Sequence, residues 1–233
     1  MFNFSEHVSM KIMSAGQANI RTAKTPGGSI DHALDQTTTL SLREYYQQWS
    51  LHYDNDVSAQ DYCGPTVMVD FLHSVPAAVA VGPDCRVMDA CCGTGLVGRV
   101  LKARGFDHVD GCDLSPAMVE QARTRAAYRH LYGDLDLTRP VPERLQHRYD
   151  LVLCCGAFIP GHLPPSGLGG LIDLTRPGGL IVLSVRAAYY ADTAFQGYCQ
   201  ALQRAQRLTL LDSCLNGPYL RDVQAHYLAF QVN

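Results

Sequence analysis

The chain has 233 residues, a length that favours one domain or one domain with an appendage. Hydrophobic residues make up 47% and charged residues 18%, so a globular core can form without disulfides or metal. The formal net charge of -3 argues against a strong positive field, and hence against nucleic acid as the main partner. No run of 18 apolar residues appears, so neither a membrane partner nor a secretory signal is expected.

The nine cysteines are odd in number, irregularly spaced and without a C-x-x-C pair. This pattern predicts free thiols, no metal site and a cytoplasmic location. Cys91 and Cys92 lie near a predicted helix N-terminus, where the pKa of a thiol falls. A nucleophilic cysteine therefore remains an alternative to simple packing.

The N-terminal residues 1–40 are polar and lack a sustained apolar period, which predicts a flexible segment. After them, large side chains recur at helical spacing, at Leu42, Tyr45, Tyr46 and Trp49. Ser41 and Glu44 have the spacing of a capping box, which predicts that this helix starts at Ser41. A second helix is predicted over about 66–72.

Short apolar runs then alternate with helical patterns along the chain. Strands are predicted at 86–90, 109–113, 131–134, 149–155, 180–185, 208–211 and 226–232. Helices are predicted at 95–103, 115–128, 167–174 and 189–206, with the third stopped by Pro177, Gly178 and Gly179. This alternation predicts a doubly wound α/β domain with a mostly parallel sheet, whose ligands lie at the carboxyl ends of the strands.

A glycine loop follows the first of these strands. Gly93, Gly95 and Gly98 match the G-x-G-x-x-G pattern, and Asp113 lies 20 residues beyond Gly93, as in NAD-binding folds. Asp89 argues against that ligand, because a carboxylate beside this loop would repel a pyrophosphate. S-adenosylmethionine has no phosphate and carries a sulfonium and an ammonium, so an acid suits it. The alternative interpretation is that Asp89 only caps the neighbouring turn.

Two more acids end the next two strands. Asp113 is expected to accept hydrogen bonds from a ribose diol, and Asp134 from an adenine amino group. Because parallel strand ends share one edge of the sheet, the three acids together are a much stronger signal than any one of them.

These motifs resemble those of class I S-adenosylmethionine-dependent methyltransferases. The resemblance covers 41–233 and rests on residues 89–95, 113–118, 133–134, 149–152 and 176–179. Within that class, segments 49–57 and 156–164 are similar to the methyltransferase-like proteins of the Williams-Beuren region type. One departure is Cys91, where the family usually has Gly or Ala, so a slight shift of the loop is expected.

The resemblance implies a seven-stranded sheet in the order 3-2-1-4-5-7-6, with strand seven antiparallel, and a helical lid over about 41–80. It implies that Tyr53 covers the cofactor, that Leu114 and Met118 lie near its adenosine and Leu135 near its adenine, and that Cys155 and Gly156 lie near its methionine part. The predicted cofactor-binding residues are Tyr53, Asp89, Ala90, Cys91, Gly93, Gly95, Asp113, Leu114, Met118, Asp134, Leu135, Cys155 and Gly156.

The loop after the fourth strand faces the methyl group in this architecture. His162 is its only titratable side chain and is the predicted catalytic base; the alternative is a His that only hydrogen-bonds loop backbone. Arg186, Tyr189 and Tyr190 follow the fifth strand on the substrate side, where the tyrosines suit an apolar or cationic acceptor or ordinary packing.

The predicted function is methyl transfer to a small molecule. The Asn/Asp-Pro-Pro-aromatic tetrad typical of methyltransferases that act on nucleobase amino groups is absent after the fourth strand, which argues against a nucleobase acceptor. The alternatives are an NAD-dependent oxidoreductase and a non-catalytic cofactor-binding protein.

Overall fold

The computed structural model describes residues 39–75, 81–191 and 193–233. The predicted flexible segment therefore lies, up to residue 38, outside the described residues. The helices are α1 (Thr39–Trp49), α2 (Tyr53–Ser58), α3 (Gly64–Ser74), α4 (Leu96–Ala103), α5 (Pro116–Arg123), α6 (Gly167–Leu174), α7 (Ala187–Tyr190) and α8 (Thr193–Arg204). The strands are β1 (Val87–Ala90), β2 (Val109–Cys112), β3 (His130–Tyr132), β4 (Tyr149–Phe158), β5 (Thr175–Arg186), β6 (Leu208–Leu220) and β7 (Val223–Val232).

The seven strands form one sheet in the order β3-β2-β1-β4-β5-β7-β6. Strands β1 to β5 pair in parallel, and β7 runs antiparallel to both β5 and β6. In register, Val87 of β1 lies between Val109 of β2 and Leu151 of β4. The predicted doubly wound fold, strand order and antiparallel last strand are confirmed.

A hydrophobic cluster covers each face of the sheet. Leu151 and Leu153 of β4 belong to the cluster that includes α3 and α4, whereas Val152 and Cys154 belong to the cluster with α6 and α8. Successive side chains of a strand point to opposite faces, so an unbroken apolar run is what burial on both faces requires. The central strands are therefore rigid, and their carboxyl ends are fixed in space.

Several predicted boundaries differ from the structure. Helix α1 begins at Thr39, so Ser41 lies inside the helix and does not cap it. Helix α2 was not predicted, because its six residues are too few to show an apolar period. Pro177, Gly178 and Gly179 do not follow α6 as a separate stop, since β5 starts at Thr175 and contains them.

This glycine segment is accommodated by an irregularity in the pairing of β4 with β5. Tyr149 pairs with Thr175, but Leu151 pairs with Leu180, so the residues between are an insertion in β5. Gly178 has a φ of +74°, a conformation that glycine adopts without steric cost.

The remaining differences concern lengths. Ser115 caps α5 as predicted, accepting a hydrogen bond from the Met118 N–H at 3.4 Å, but this helix ends at Arg123. The helix predicted at 189–206 is divided into α7 and α8, and β4, β6 and β7 are longer than predicted. Across the described ranges, no helix combines the length and apolar character needed to cross a bilayer.

Candidate active site

A cavity enclosing about 840 Å³, part of it open to solvent, lies at the carboxyl ends of β1, β2 and β4. Ten predicted site residues line it, namely Tyr53, Cys91, Gly93, Asp113, Leu114, Met118, Leu135, Cys155, Gly156 and His162. This position is where doubly wound sheets bind their ligands. Of the predicted residues, Asp89, Ala90, Gly95 and Asp134 are not among its lining.

The loop after β1 is held by the carboxylate of Asp113, the residue that follows β2. Asp113 accepts hydrogen bonds from the N–H groups of Gly93 at 2.9 Å and Ser115 at 2.8 Å. Burial raises the pKa of Asp113, although the N–H groups that point at it act in the opposite direction. Asp113 thus fixes the glycine loop while its side chain lines the cavity, where the sequence placed a ribose-binding acid.

Two residues of this loop have left-handed backbone conformations. Gly93 has a φ of +53°, and the space where a side chain would begin is open. Cys91 has a φ of +58°, which costs a non-glycine residue of order 1 kcal/mol or more. The resemblance implied Gly or Ala at this position, and this conformation gives a physical reason for Gly but not for Ala.

Asp89 lies beneath the loop and is fully buried. Its Oδ2 accepts a hydrogen bond of 2.6 Å from the Tyr128 hydroxyl, which in turn accepts one from the Gly98 N–H at 3.2 Å. A side chain at Gly98 would begin only 2.2 Å from the Tyr128 ring. The third glycine of the motif is therefore needed to admit Tyr128, which supports the loop from below.

The charge of this region suits a cationic ligand. Burial raises the pKa of Asp89 to about 7, and the charge of Asp113 adds to that effect. Asp89 Oδ1 is buried and has no hydrogen-bond partner within the described part of the chain. A nearby sulfonium or ammonium would stabilise the ionised carboxylate, whereas a pyrophosphate would meet two acids at the loop.

Helices α1 and α2 lie over this cavity and are tied to its rim. Arg43 forms an ion pair with Asp134 at 2.5 Å, and Tyr46 is hydrogen-bonded to His162 at 2.7 Å. On α2, Asp54 accepts a 2.5 Å hydrogen bond from the Thr94 hydroxyl and pairs with Arg125. We call α1 and α2 the roof; it contributes Leu42, Arg43, Tyr46 and Tyr53 to the cavity wall.

The opposite wall of the cavity is mainly apolar. Leu114, Met118 and Leu135 lie there, as expected for a surface that receives a flat base. The side chain of Asp134 is exposed and paired with Arg43, while Asp136, two residues further on, lines the cavity. Because β3 ends at Tyr132, the chain turns before Asp134. Asp136, and not Asp134, then lines the cavity.

His162 is half-buried at the edge of the cavity. Its Nδ1 lies 3.1 Å from the carbonyl oxygen of Pro160, and its Nε2 lies 2.7 Å from the Tyr46 hydroxyl. Since a carbonyl only accepts, Nδ1 carries the proton and Nε2 accepts from Tyr46. Burial lowers the pKa of His162 to about 4, so the ring is neutral near pH 7.

The cysteines around the cavity are protonated thiols. A hydrogen bond to Cys154, together with burial, raises the pKa of Cys91, and burial raises that of Cys92. Burial also raises the pKa of Cys155 to about 11. A thiolate nucleophile is thus disfavoured here, contrary to the alternative that the helix N-terminus suggested. Among residues 39–75, 81–191 and 193–233, no three His, Cys, Asp or Glu side chains are grouped as metal ligands.

A second cavity of about 420 Å³, also partly open, adjoins the first. The two share Tyr46, Tyr53 and Gly156 in their linings, so these three residues lie where the cavities meet. Arg186 lines the second cavity, but Tyr189 and Tyr190 line neither cavity. The Tyr189 hydroxyl donates to the Leu163 carbonyl, and Tyr190 packs edge-on against His226.

Sequence reasoning missed several residues of this region. Tyr128 had no assigned role, and Arg43, Asp136 and the wall residues Leu137 and Thr138 were not predicted. The one available signal was Asp136, which follows Asp134 by two residues and indicated a cluster of acids after β3.

Known proteins agree with this architecture. A family model described as a methyltransferase domain matches residues 87–179. Methyltransferase-like protein 27 of Homo sapiens is 36% identical over 145 residues, covering 61% of this chain and 56% of that protein. A malonyl-[acyl-carrier protein] O-methyltransferase of Serratia marcescens is 35% identical over 109 residues, covering 46% and 40%. The chain thus spans about half the length of the curated relatives it matches.

Solved structures share the fold at low sequence identity. A magnesium protoporphyrin IX methyltransferase from Synechocystis with bound S-adenosylmethionine has a TM-score of 0.62 at 17% identity, covering 84% of this chain and 97% of that one. A TehB-like methyltransferase from Corynebacterium glutamicum has a TM-score of 0.59 at 18% identity, covering 82% and 99%. Residues 87–179 therefore match a methyltransferase domain, and the sheet order agrees with the fold of these solved methyltransferases.

Proposed function

We propose that this protein transfers the methyl group of S-adenosylmethionine to a small-molecule acceptor. The observation that carries the proposal is the pair of adjoining cavities, one under the roof and beside the acids, the other sharing Tyr46, Tyr53 and Gly156 with it. Two adjoining spaces suit two reactants that meet at one point. The names of two similar proteins, which act on malonyl-[acyl-carrier protein] and on magnesium protoporphyrin IX, support this class of acceptor.

In this proposal Asp113 and the Gly93 loop hold the cofactor, and Leu114, Met118 and Leu135 receive its base. When bound, S-adenosylmethionine supplies a methyl group already activated by its sulfonium leaving group. The roof covers the cofactor, and an acceptor in the second cavity would approach that group beside Gly156, which lines both cavities. Such positioning can account for several kcal/mol of the barrier, up to about 7 to 11 in favourable cases.

We also propose that the protein is cytoplasmic. Cys91 and Cys155 line the first cavity as thiols, and Cys92, Cys112, Cys154 and Cys199 are buried as thiols. A reducing compartment preserves such thiols, which supports the cytoplasm.

The first experiment compares two cofactors by thermal shift. We expect S-adenosylhomocysteine to raise the melting temperature, and NADH to leave it unchanged, because the buried acids at the loop repel a pyrophosphate. The reverse pattern would support the oxidoreductase alternative. If S-adenosylhomocysteine binds but a broad panel of acceptors gives no methylated product, the non-catalytic alternative is favoured.

We propose that His162 removes a proton from the acceptor through Tyr46, whose hydroxyl passes its own proton to Nε2 as it takes the proton of the acceptor. His162→Ala should lower kcat by about 100-fold or more, the usual contribution of a general base, and change affinity for S-adenosylhomocysteine less than threefold. Because burial holds the His162 pKa near 4, protonation inactivates it only in acid. At saturating S-adenosylmethionine, the kcat/KM profile for the acceptor should therefore stay level from pH 8 to about 5 and fall towards pH 4.

The matched control is His73→Ala, since His73 is an exposed histidine on α3 that hydrogen-bonds only its own helix. Tyr46→Phe removes the hydroxyl that relays the proton to Nε2, so it should lower kcat about as much as His162→Ala does. Unchanged kcat in His162→Ala, or the same loss in His73→Ala, would remove His162 from the chemistry.

A further inference from the structure

The second cavity has aromatic walls and one cation. Trp49, Tyr53, Tyr62 and Tyr219 line it together with the side chain of Arg186. Trp49 and Tyr219 are buried, and Tyr62 and Tyr219 meet edge-on with ring centroids 5.1 Å apart. Flat faces in this arrangement suit a planar or apolar molecule of modest size.

Arg186 is held firmly at the wall of this cavity. It is the last residue of β5 and pairs with Ala225 of β7, directly after the buried Val185. The strand pairing fixes the backbone, so only the side chain is free to adjust.

The guanidinium of Arg186 has no hydrogen bond or ion pair among the described residues. The two carboxylates of α2 are engaged by other groups. Asp56 accepts from the Trp49 Nε1–H at 2.6 Å, and Asp54 is bound by Thr94 and Arg125. Asp222 borders a separate outer cavity that Arg186 also reaches, but the two side chains form no ion pair. A half-buried arginine without an anion is an unusual arrangement, because guanidinium groups in cavities are normally paired.

We propose that the second cavity binds a small apolar carboxylic acid, with Arg186 holding its carboxylate, the aromatic walls holding its body, and a separate O–H or N–H group on that body as the methyl acceptor. This inference rests on the proposed function, for which it names the class of acceptor. Arginine binds a carboxylate with two parallel hydrogen bonds, which orients as well as neutralises the group. The same positive charge disfavours a quaternary ammonium, the other ligand that aromatic walls commonly bind.

The experiment uses the fluorescence of Trp49, because it is the sole tryptophan of the chain and lines the cavity. The probes are 3-phenylpropionate and its uncharged amide, titrated into the full chain with and without S-adenosylhomocysteine. We expect the acid to bind at least tenfold more tightly than the amide, since only the acid forms charge-assisted hydrogen bonds. Phenethyltrimethylammonium is the cationic probe, and tighter binding of this probe than of the acid would overturn the proposal.

Arg186→Gln should weaken binding of the acid at least tenfold and leave binding of the amide unchanged. Arg186→Lys, which keeps the charge but loses the paired donors, should fall between the two. The matched control is Arg221→Gln, because Arg221 is exposed, pairs with Asp61 and does not line the second cavity. Equal affinity for acid and amide in the unaltered protein, or equal loss in Arg186→Gln and Arg221→Gln, would contradict the inference.

Calorimetry with S-adenosylhomocysteine separates this inference from the proposed function. If that ligand binds both the unaltered protein and Arg186→Gln but the acid shows no preference over the amide, only the inference about the acceptor fails. If that ligand does not bind at all, the proposed function fails, and the titrations without it still decide whether the cavity selects an acid.

Discussion

Replacing Asp113 with Asn should weaken binding of S-adenosylhomocysteine by about 100-fold, equivalent to ~3 kcal/mol. Each oxygen of Asp113 accepts a backbone hydrogen bond, from Gly93 and from Ser115. An amide has one acceptor and one donor end, so one of these N–H groups would face another donor. The glycine loop would then lose its anchor, and the cavity would lose the acid expected at the ribose. Isothermal titration calorimetry measures the change directly.

Asp110→Asn is the matched control for this variant. Asp110 lies on β2, three residues before Asp113, and also accepts hydrogen bonds, from Tyr149 at 2.9 Å and from His130, but it does not line the first cavity. Its replacement should change affinity less than threefold. Normal affinity in a folded Asp113→Asn protein would mean that the loop does not depend on this carboxylate.

Replacing Asp89 with Asn should make the variant gain stability relative to the unaltered protein as the pH rises from 4 to 8. The pKa of Asp89 is about 7 in the folded state, against an ordinary value of 3.8. The stability that Asp89 contributes to the fold is therefore fully present below its ordinary pKa and is lost as the pH rises through 7. The difference is on the order of 4 kcal/mol. Asn does not titrate, so urea denaturation at both pH values isolates this contribution.

The same carboxylate should link cofactor affinity to pH. A cation beside ionised Asp89 stabilises that form, so affinity for S-adenosylmethionine should rise with pH through about 7 in the unaltered protein and stay level in Asp89→Asn. Tyr128→Phe is a second test, because loss of its 2.6 Å hydrogen bond should move the transition to higher pH. Parallel stability curves for Asp89→Asn and the unaltered protein between pH 4 and 8 would show that Asp89 does not titrate there.

The sheet was predictable because its central strands are apolar on both faces, a pattern that few other structures produce. The acid at Asp113 was predictable for the same reason, since the end of a buried strand fixes where the next residue lies. Asp134 was assigned by the same rule, but β3 is short and ends at Tyr132, so the side chain pairs with Arg43 at the rim. Prediction of its direction required the turn after the strand, which local sequence does not specify.

The G-x-G-x-x-G match shows the other limit. Gly98 satisfies the pattern, yet its role in this fold is to leave room for Tyr128, which lies 30 residues away in sequence. No local pattern contains that contact. The structure therefore separates two causes of one motif, the approach of a phosphate and the approach of an aromatic ring, that sequence alone cannot distinguish.

The attachments of the roof have a consequence for the timing of a catalytic cycle. Arg43, Tyr46 and Asp54 connect α1 and α2 to three different parts of the rim. Breaking these contacts would free both helices and widen the opening of the cavity. Where release of the product cofactor limits turnover, the movement of the roof then sets its rate.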